Sequence, residues 1–108
     1  MGLLDRHVEL FNEGVRTGDF GPMLEQFTDD AELRFEGAPA GPFVGKQAIA
    51  EAYAANPPDD EVDIVSSEES ERELVARYAW RADAGRPAGR MIITPRGDQI
   101  ARLVVTFE

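Results

Sequence analysis

The stretch ELVARYAWRAD, residues 73–83, puts Leu74, Ala76, Tyr78 and Trp80 on one side of an extended chain and Val75, Arg77, Ala79 and Arg81 on the other. A strand with one face in water alternates between apolar and polar side chains, and this one carries apolar residues on both. Downstream the pattern repeats. In residues 99–107, Ile100, Arg102, Val104 and Thr106 oppose Ala101, Leu103, Val105 and Phe107, and in 90–94 Met91 and Ile93 oppose Ile92. Ala84-Gly85-Arg86-Pro87 and Arg96-Gly97-Asp98 are turn sequences between these runs. With a preceding strand over 62–70, the C-terminal half reads as an antiparallel meander whose two faces both need cover.

Upstream the period changes. Leu4, Val8, Phe11 and Val15 recur at helical spacing, with Leu3, His7 and Leu10 widening the stripe, and Gly18 ends the helix. Asp19 is placed to cap a second helix in which Phe20, Met23, Leu24 and Phe27 share a face, with Pro22 in its first turn. Thr28-Asp29-Asp30 breaks that helix, and residues 31–36 alternate as a half-buried strand. Residues 37–42 form a loop, Phe43-Val44 a short strand, and Gly45 opens a third helix with Ile49, Ala52 and Tyr53 on one face, stopped by Asn56-Pro57-Pro58. Helices early and strands late predict an α+β fold, a sheet wrapped over helices with the third and longest of them across its concave side.

A chain of 108 residues has room for one domain, 1–108, and its apolar and charged content is that of a packed protein. There is no cysteine and His7 is the sole histidine, so neither a thiolate site nor a histidine-rich zinc site can be built, and no metal or cofactor is expected. The net charge of −10, with acidic runs at 59–63 and 68–71, opposes nucleic acid and anionic membranes as partners. No run reaches the length of a membrane span, and the N-terminus has no signal-peptide pattern, so a cytoplasmic location is expected.

Gly18-Asp19-Phe20, then Met23-Leu24 to Phe27-Thr28-Asp29-Asp30-Ala31, then Leu33-Arg34-Phe35 and Gly45-Lys46-Gln47-Ala48-Ile49 with Tyr53, resemble the pattern of the nuclear transport factor 2-like, or SnoaL-like, superfamily. The resemblance implies a cone: a curved mixed sheet closing as an α+β barrel around three helices and enclosing an apolar pocket. That superfamily houses ketosteroid isomerases, polyketide cyclases, dehydratases and epoxide hydrolases beside non-catalytic binding and assembly proteins, so fold alone does not select an activity.

Carried over one position at a time, the isomerase residues do not match. The general-base aspartate falls on Phe35, with Glu36 next in line; the tyrosine donor falls near Phe11; the buried carboxylic acid falls near Arg90. An isomerase of that type needs a base and two donors aimed at the developing enolate.

Two ionisable groups remain as catalytic candidates. A strand-end bulge would turn Glu36 inward to act as a base, whereas period 2 sends it outward with Glu32 and Arg34. His7, one turn before Phe11, projects either into the cavity mouth or along the helix flank. The expected ligand-binding set is Phe11, Phe27, Phe35, Tyr53, Tyr78, Trp80, Arg90 and Met91. The hydroxyls of Tyr53 and Tyr78 serve either a ligand or a neighbouring backbone group; Trp80 is core or a flat contact for a ring; Arg90 inward would favour an anionic ligand, outward it is a surface cation.

The sequence thus predicts a protein that binds a small apolar or mixed molecule. The competing expectations are proton transfer at an activated carbon, as in an isomerase, cyclase or dehydratase, and a dimeric assembly module. A homodimer through the outer sheet face would cover the second apolar surface; arginine stems would do the same in a monomer.

Overall fold

The computed structural model describes residues 2–37, 41–84 and 86–107. Two helices, α1 (Leu3–Thr17) and α2 (Gly21–Leu24), precede strand β1 (Phe27–Glu36); β2 (Phe43–Val44) and α3 (Lys46–Ala55) follow, and then β3 (Val62–Glu69), β4 (Leu74–Trp80), β5 (Gly89–Arg96) and β6 (Gln99–Thr106). The expected loop over 38–40 and the turn residue Gly85 lie outside the described residues.

The strands form one mixed sheet in the order β2-β1-β6-β5-β4-β3. β1 runs parallel to β6; all other neighbours are antiparallel. The fold is the expected α+β class with helices on one face, but the sheet is curved and open: β2 and β3 are its two ends, so it does not close as a barrel. The longest helix is α1, not α3.

α1 buries Leu4 and Phe11 of the periodic stripe together with His7 and Leu10 from its flank, while Val8 and Val15 are half-buried. Gly18 ends it at φ 82°, a left-handed conformation that glycine adopts without a Cβ penalty, and its N–H returns to the Gly14 carbonyl. Asn12 ties this helix to the first residue of β3, and Arg16 and Arg81 meet at Glu61, fastening the helix end beside β4.

The second helix is shorter than its sequence pattern suggests. Phe27 continues the helical spacing of Phe20, Met23 and Leu24, yet it is already strand, because the Ile100 N–H bonds the Gln26 carbonyl at 2.7 Å and Phe27 pairs with Ile100. Thr28-Asp29-Asp30 is therefore part of β1, not a break. Asp19 accepts the Gly21 N–H at 2.9 Å, which fixes the entry to α2.

Register explains the two apolar faces. Leu33, Leu103, Ile93 and Leu74 form one row under the helices, and Phe35, Val105, Met91 and Ala76 form the next. On the outer face Arg34, Val104, Ile92 and Val75 stand in line, with Glu32 and Arg102 paired at 3.1 Å in the adjacent row. Strict alternation would put Ile100 on the outer face with Val104, but it is fully buried; a register shift between Thr94 and Pro95 inserts Ala101 and returns Ile100 to the core side. β4 ends at Trp80, and Arg81–Asp83 forms a 3₁₀ turn in place of the strand expected to reach Asp83.

Candidate ligand-binding site

Between the helices and the concave side of the sheet lies a cavity of about 380 Å³. His7 and Phe11 reach it from α1, four residues apart on the buried stripe, and Ala52, Tyr53 and Asn56 line it from α3 and its cap. The sheet contributes Leu33 and Phe35 from β1, Tyr78 and Trp80 from β4, and Met91, Leu103 and Val105 from β5 and β6. Phe43, Pro58, Val62 and Phe107 complete the wall. Leu33, Leu103, Tyr78 and His7 are fully buried and form the floor, whereas Asn56 and Phe107 are exposed and mark the mouth.

Every aromatic side chain except Phe20 and Phe27 borders this space. Phe107 stacks on Phe35, and Phe43 meets Phe35 edge-on, each with ring centroids 6.3 Å apart. Tyr78 and Trp80 are perpendicular at 5.7 Å. Tyr78 pairs with Gly89, and its hydroxyl donates to the Thr106 carbonyl at 3.1 Å on the strand beyond. Gly89 permits this close approach: a Cβ there would lie 1.8 Å from the Thr106 carbonyl oxygen.

Among the described residues no Asp, Glu, Lys or Arg lines the cavity. His7 is the one histidine of the chain, and it lines the cavity. Burial lowers its pKa to about 4, opposed by a hydrogen bond to Gln26, so the imidazole is neutral at pH 7. Its Nδ1 lies 3.1 Å from Gln26 Oε1, an acceptor, so Nδ1 carries the hydrogen and Nε2 keeps a lone pair. The ring stands edge-on to Phe27 at 6.1 Å.

Tyr53 packs against Phe20 at 5.1 Å, and burial pushes its phenol well above the ordinary value of 10, so it remains a hydroxyl. No hydrogen-bond partner for it exists among the described residues. The Tyr78 hydroxyl, also pushed up by burial, is engaged by Thr106.

The structure brings His7, Phe11, Phe35, Tyr53, Tyr78, Trp80 and Met91 around the cavity and leaves three expected residues out. Phe27 is fully buried behind His7, at the far end of β1, where the register shift separates it from the Leu33–Phe35 segment. Arg90 is exposed on the outer face in register with Arg77. Glu36 is exposed at the end of β1, as period 2 requires, because no bulge intervenes beyond Glu32. His7 is buried inward and does not lie on the helix flank.

Phe43, Val62 and Phe107 were not among the expected lining residues. Phe43 had a signal only through pairing, since it stands opposite Leu33, while Phe107 shares the alternating face of Leu103 and Val105. Gln26 had none: its link to His7 spans 19 residues with no motif between them. Among the described residues no group of His, Asp or Glu could hold a metal ion, and no helix is long and apolar enough to cross a membrane.

Residues 6–107 match the model of the SnoaL-like domain. No curated protein sequence matches the chain. Among solved structures, a nuclear transport factor 2-like protein of unknown function from Burkholderia xenovorans superposes with a TM-score of 0.73 at 15% identity, covering 98% of this chain and 83% of that one. A proposed polyketide cyclase from Sinorhizobium meliloti gives 0.67 at 21% identity, with 97% and 99% covered. A Catenulispora acidiphila protein with a ketosteroid isomerase-like fold, solved with trimethylamine, gives 0.74 at 12% identity, with 94% and 85% covered. At these identities the likeness is one of fold.

Proposed function

The chain belongs to the SnoaL-like domain family, and on that premise we propose that it binds a small, predominantly apolar molecule between its helices and sheet. The observation that carries this reading is the space of about 380 Å³ walled by aromatic rings, with no charged side chain among the described lining residues, a size and lining suited to small organic ligands. The polyketide cyclase proposed for the Sinorhizobium meliloti relative and the trimethylamine in the Catenulispora acidiphila protein support a small-molecule site in this fold.

Isomerase chemistry of the ketosteroid type is not part of the proposal. The positions that the resemblance assigns to its base and donors are Phe35, Phe11 and the exposed Arg90, and Glu36 is held outward. For proton transfer His7 is the group placed to take part, because among the described lining residues it alone carries a neutral basic nitrogen. The outer sheet row of Val75, Ile92 and Val104 supports a contact with a second copy of the chain.

Trp80 is the only tryptophan and lines the cavity, so its fluorescence reports occupancy. Titration with neutral ring compounds of one to three rings is expected to give a saturable change in Trp80 emission for at least one size class. A strictly linear, non-saturable response across the whole series would overturn the proposal.

A further inference from the structure

The polar groups of the cavity specify more than an oily ligand. Nδ1 of His7 is committed to Gln26 Oε1, and the Gln26 backbone is anchored where its carbonyl accepts the Ile100 N–H. The ring therefore cannot present a donor to the cavity; it presents the Nε2 lone pair, a neutral acceptor. Tyr53 carries the opposite polarity at the same space, a hydroxyl with no hydrogen-bond partner among the described residues.

These two groups constrain the occupant from both sides. An ionised ligand would bring a charge into a site where no described Asp, Glu, Lys or Arg lines the wall to pair with it, which is strongly unfavourable in an apolar enclosure. A pure hydrocarbon would strip water from Nε2 and the Tyr53 hydroxyl and give nothing back. A neutral ring bearing a hydroxyl satisfies both conditions.

Building on the small-molecule reading above, we propose that the cavity selects neutral, hydroxyl-bearing ring compounds, phenols or cyclic alcohols, whose O–H donates to His7 Nε2 while the Tyr53 hydroxyl donates to an oxygen of the same ligand. Gln26 acts here as a positioning residue: it sets the tautomer that makes the histidine an acceptor.

The test compares three probes of one shape by calorimetry at pH 7: 2-naphthol, naphthalene and 2-naphthoate. The wild-type chain is expected to bind 2-naphthol roughly 5- to 10-fold tighter than naphthalene, the yield of one neutral hydrogen bond, and 2-naphthoate more weakly than either. His7→Asn keeps an amide donor near the place of Nδ1 for Gln26 and removes the acceptor at Nε2, so its affinities for 2-naphthol and naphthalene should converge while naphthalene binding is retained.

Equal wild-type affinities for 2-naphthol and naphthalene would overturn the selectivity and leave the cavity reading standing; failure of both neutral probes to bind would remove the cavity reading itself. A 2-naphthol preference that survives in a folded His7→Asn chain would overturn the role of His7. Should that variant not fold, the wild-type nitrogen NMR signal of the single histidine decides: the Nε2 resonance is expected to move with 2-naphthol and not with naphthalene, and an unmoved resonance at saturating 2-naphthol overturns the proposal.

Discussion

Asn12 grips Val62 with both ends of its amide: Nδ2 donates to the Val62 carbonyl at 3.0 Å and Oδ1 accepts the Val62 N–H at 2.9 Å. β3 is the end strand of the sheet, so these two backbone groups have no neighbouring strand on that side, and the side chain of α1 stands in for one. The same bonds hold α1, with His7 and Phe11, over the cavity. Asn12→Leu would bury the Val62 N–H and carbonyl without partners and is expected to lower stability by about 2–4 kcal/mol, two unsatisfied groups at 1–2 each. Urea unfolding measures it; a loss under about 0.5 kcal/mol would mean that water replaces the clamp.

His7 makes stability depend on pH in a defined window. Its pKa in the fold, about 4, lies below the ordinary 6.5 that applies to the unfolded chain. As pH falls through 6.5 the unfolded state takes up the proton first, so the stability present above that value is lost progressively down to pH 4. The full loss is about 3 kcal/mol by linkage. The difference in unfolding free energy between wild type and His7→Asn should therefore shrink by that order between pH 7 and pH 4. The Hε1 proton resonance of the single histidine checks the premise directly: a midpoint near 6.5 in the folded protein would contradict the buried, neutral ring.

The Tyr78–Gly89–Thr106 crossing predicts intolerance to a single methyl group. A Cβ at Gly89 meets the Thr106 backbone, which cannot swing away as a side chain can, so β5 and β6 must part. Gly89→Ala is expected to destabilise by about 1–3 kcal/mol, the range of overpacked interiors. Tyr78→Phe, which removes only the hydroxyl donated to the Thr106 carbonyl, should cost about 1 kcal/mol. A Gly89→Ala loss under about 0.5 kcal/mol would show that β6 yields to the added methyl and that the close approach is not required.

What could be read from residues alone divides along a physical line. The stripe of Leu4, His7, Leu10 and Phe11 and the alternation of Leu74, Ala76 and Tyr78 are local patterns, and both elements formed with those faces inward. The start of β1 was illegible because Phe27 fits the helical spacing as well as the strand, and its choice is made by Ile100 at the other end of the chain. The inward turn of Ile100 likewise depends on a register shift that only strand pairing creates. In the site, Phe11, Tyr53, Tyr78 and Trp80 followed from periodicity, whereas Phe43 came from strand pairing and the His7–Gln26 bond from a contact between elements that no spacing encodes.

The outer sheet face yields a prediction about assembly. Val75 and Ile92 are half-buried in a row with Val104, bordered by Arg34 and Arg102. If a second copy covers this row, sedimentation at micromolar concentration gives a dimer and Ile92→Lys gives a monomer with an unchanged far-ultraviolet spectrum, since a charge in the centre of such a contact lacks a partner. A wild-type monomer would assign the cover to the arginine stems alone.

Ala52 separates a ligand site from a hollow that serves only packing. It sits on α3 beside Tyr53, borders the cavity and projects one methyl toward it. A phenyl ring in its place would extend into the empty space, adding apolar contacts without displacing backbone. Ala52→Phe should then leave stability unchanged or raise it by about 1 kcal/mol, because burying apolar area offsets the ring's lower helix propensity. Ligand binding, read from Trp80 fluorescence, should fall at least tenfold in the same variant. A tightly filled interior would behave in the opposite way, losing about 1–3 kcal/mol to overpacking. Stability gained together with binding lost is the signature of a cavity kept open for an occupant, because space that served only packing would be more stable filled.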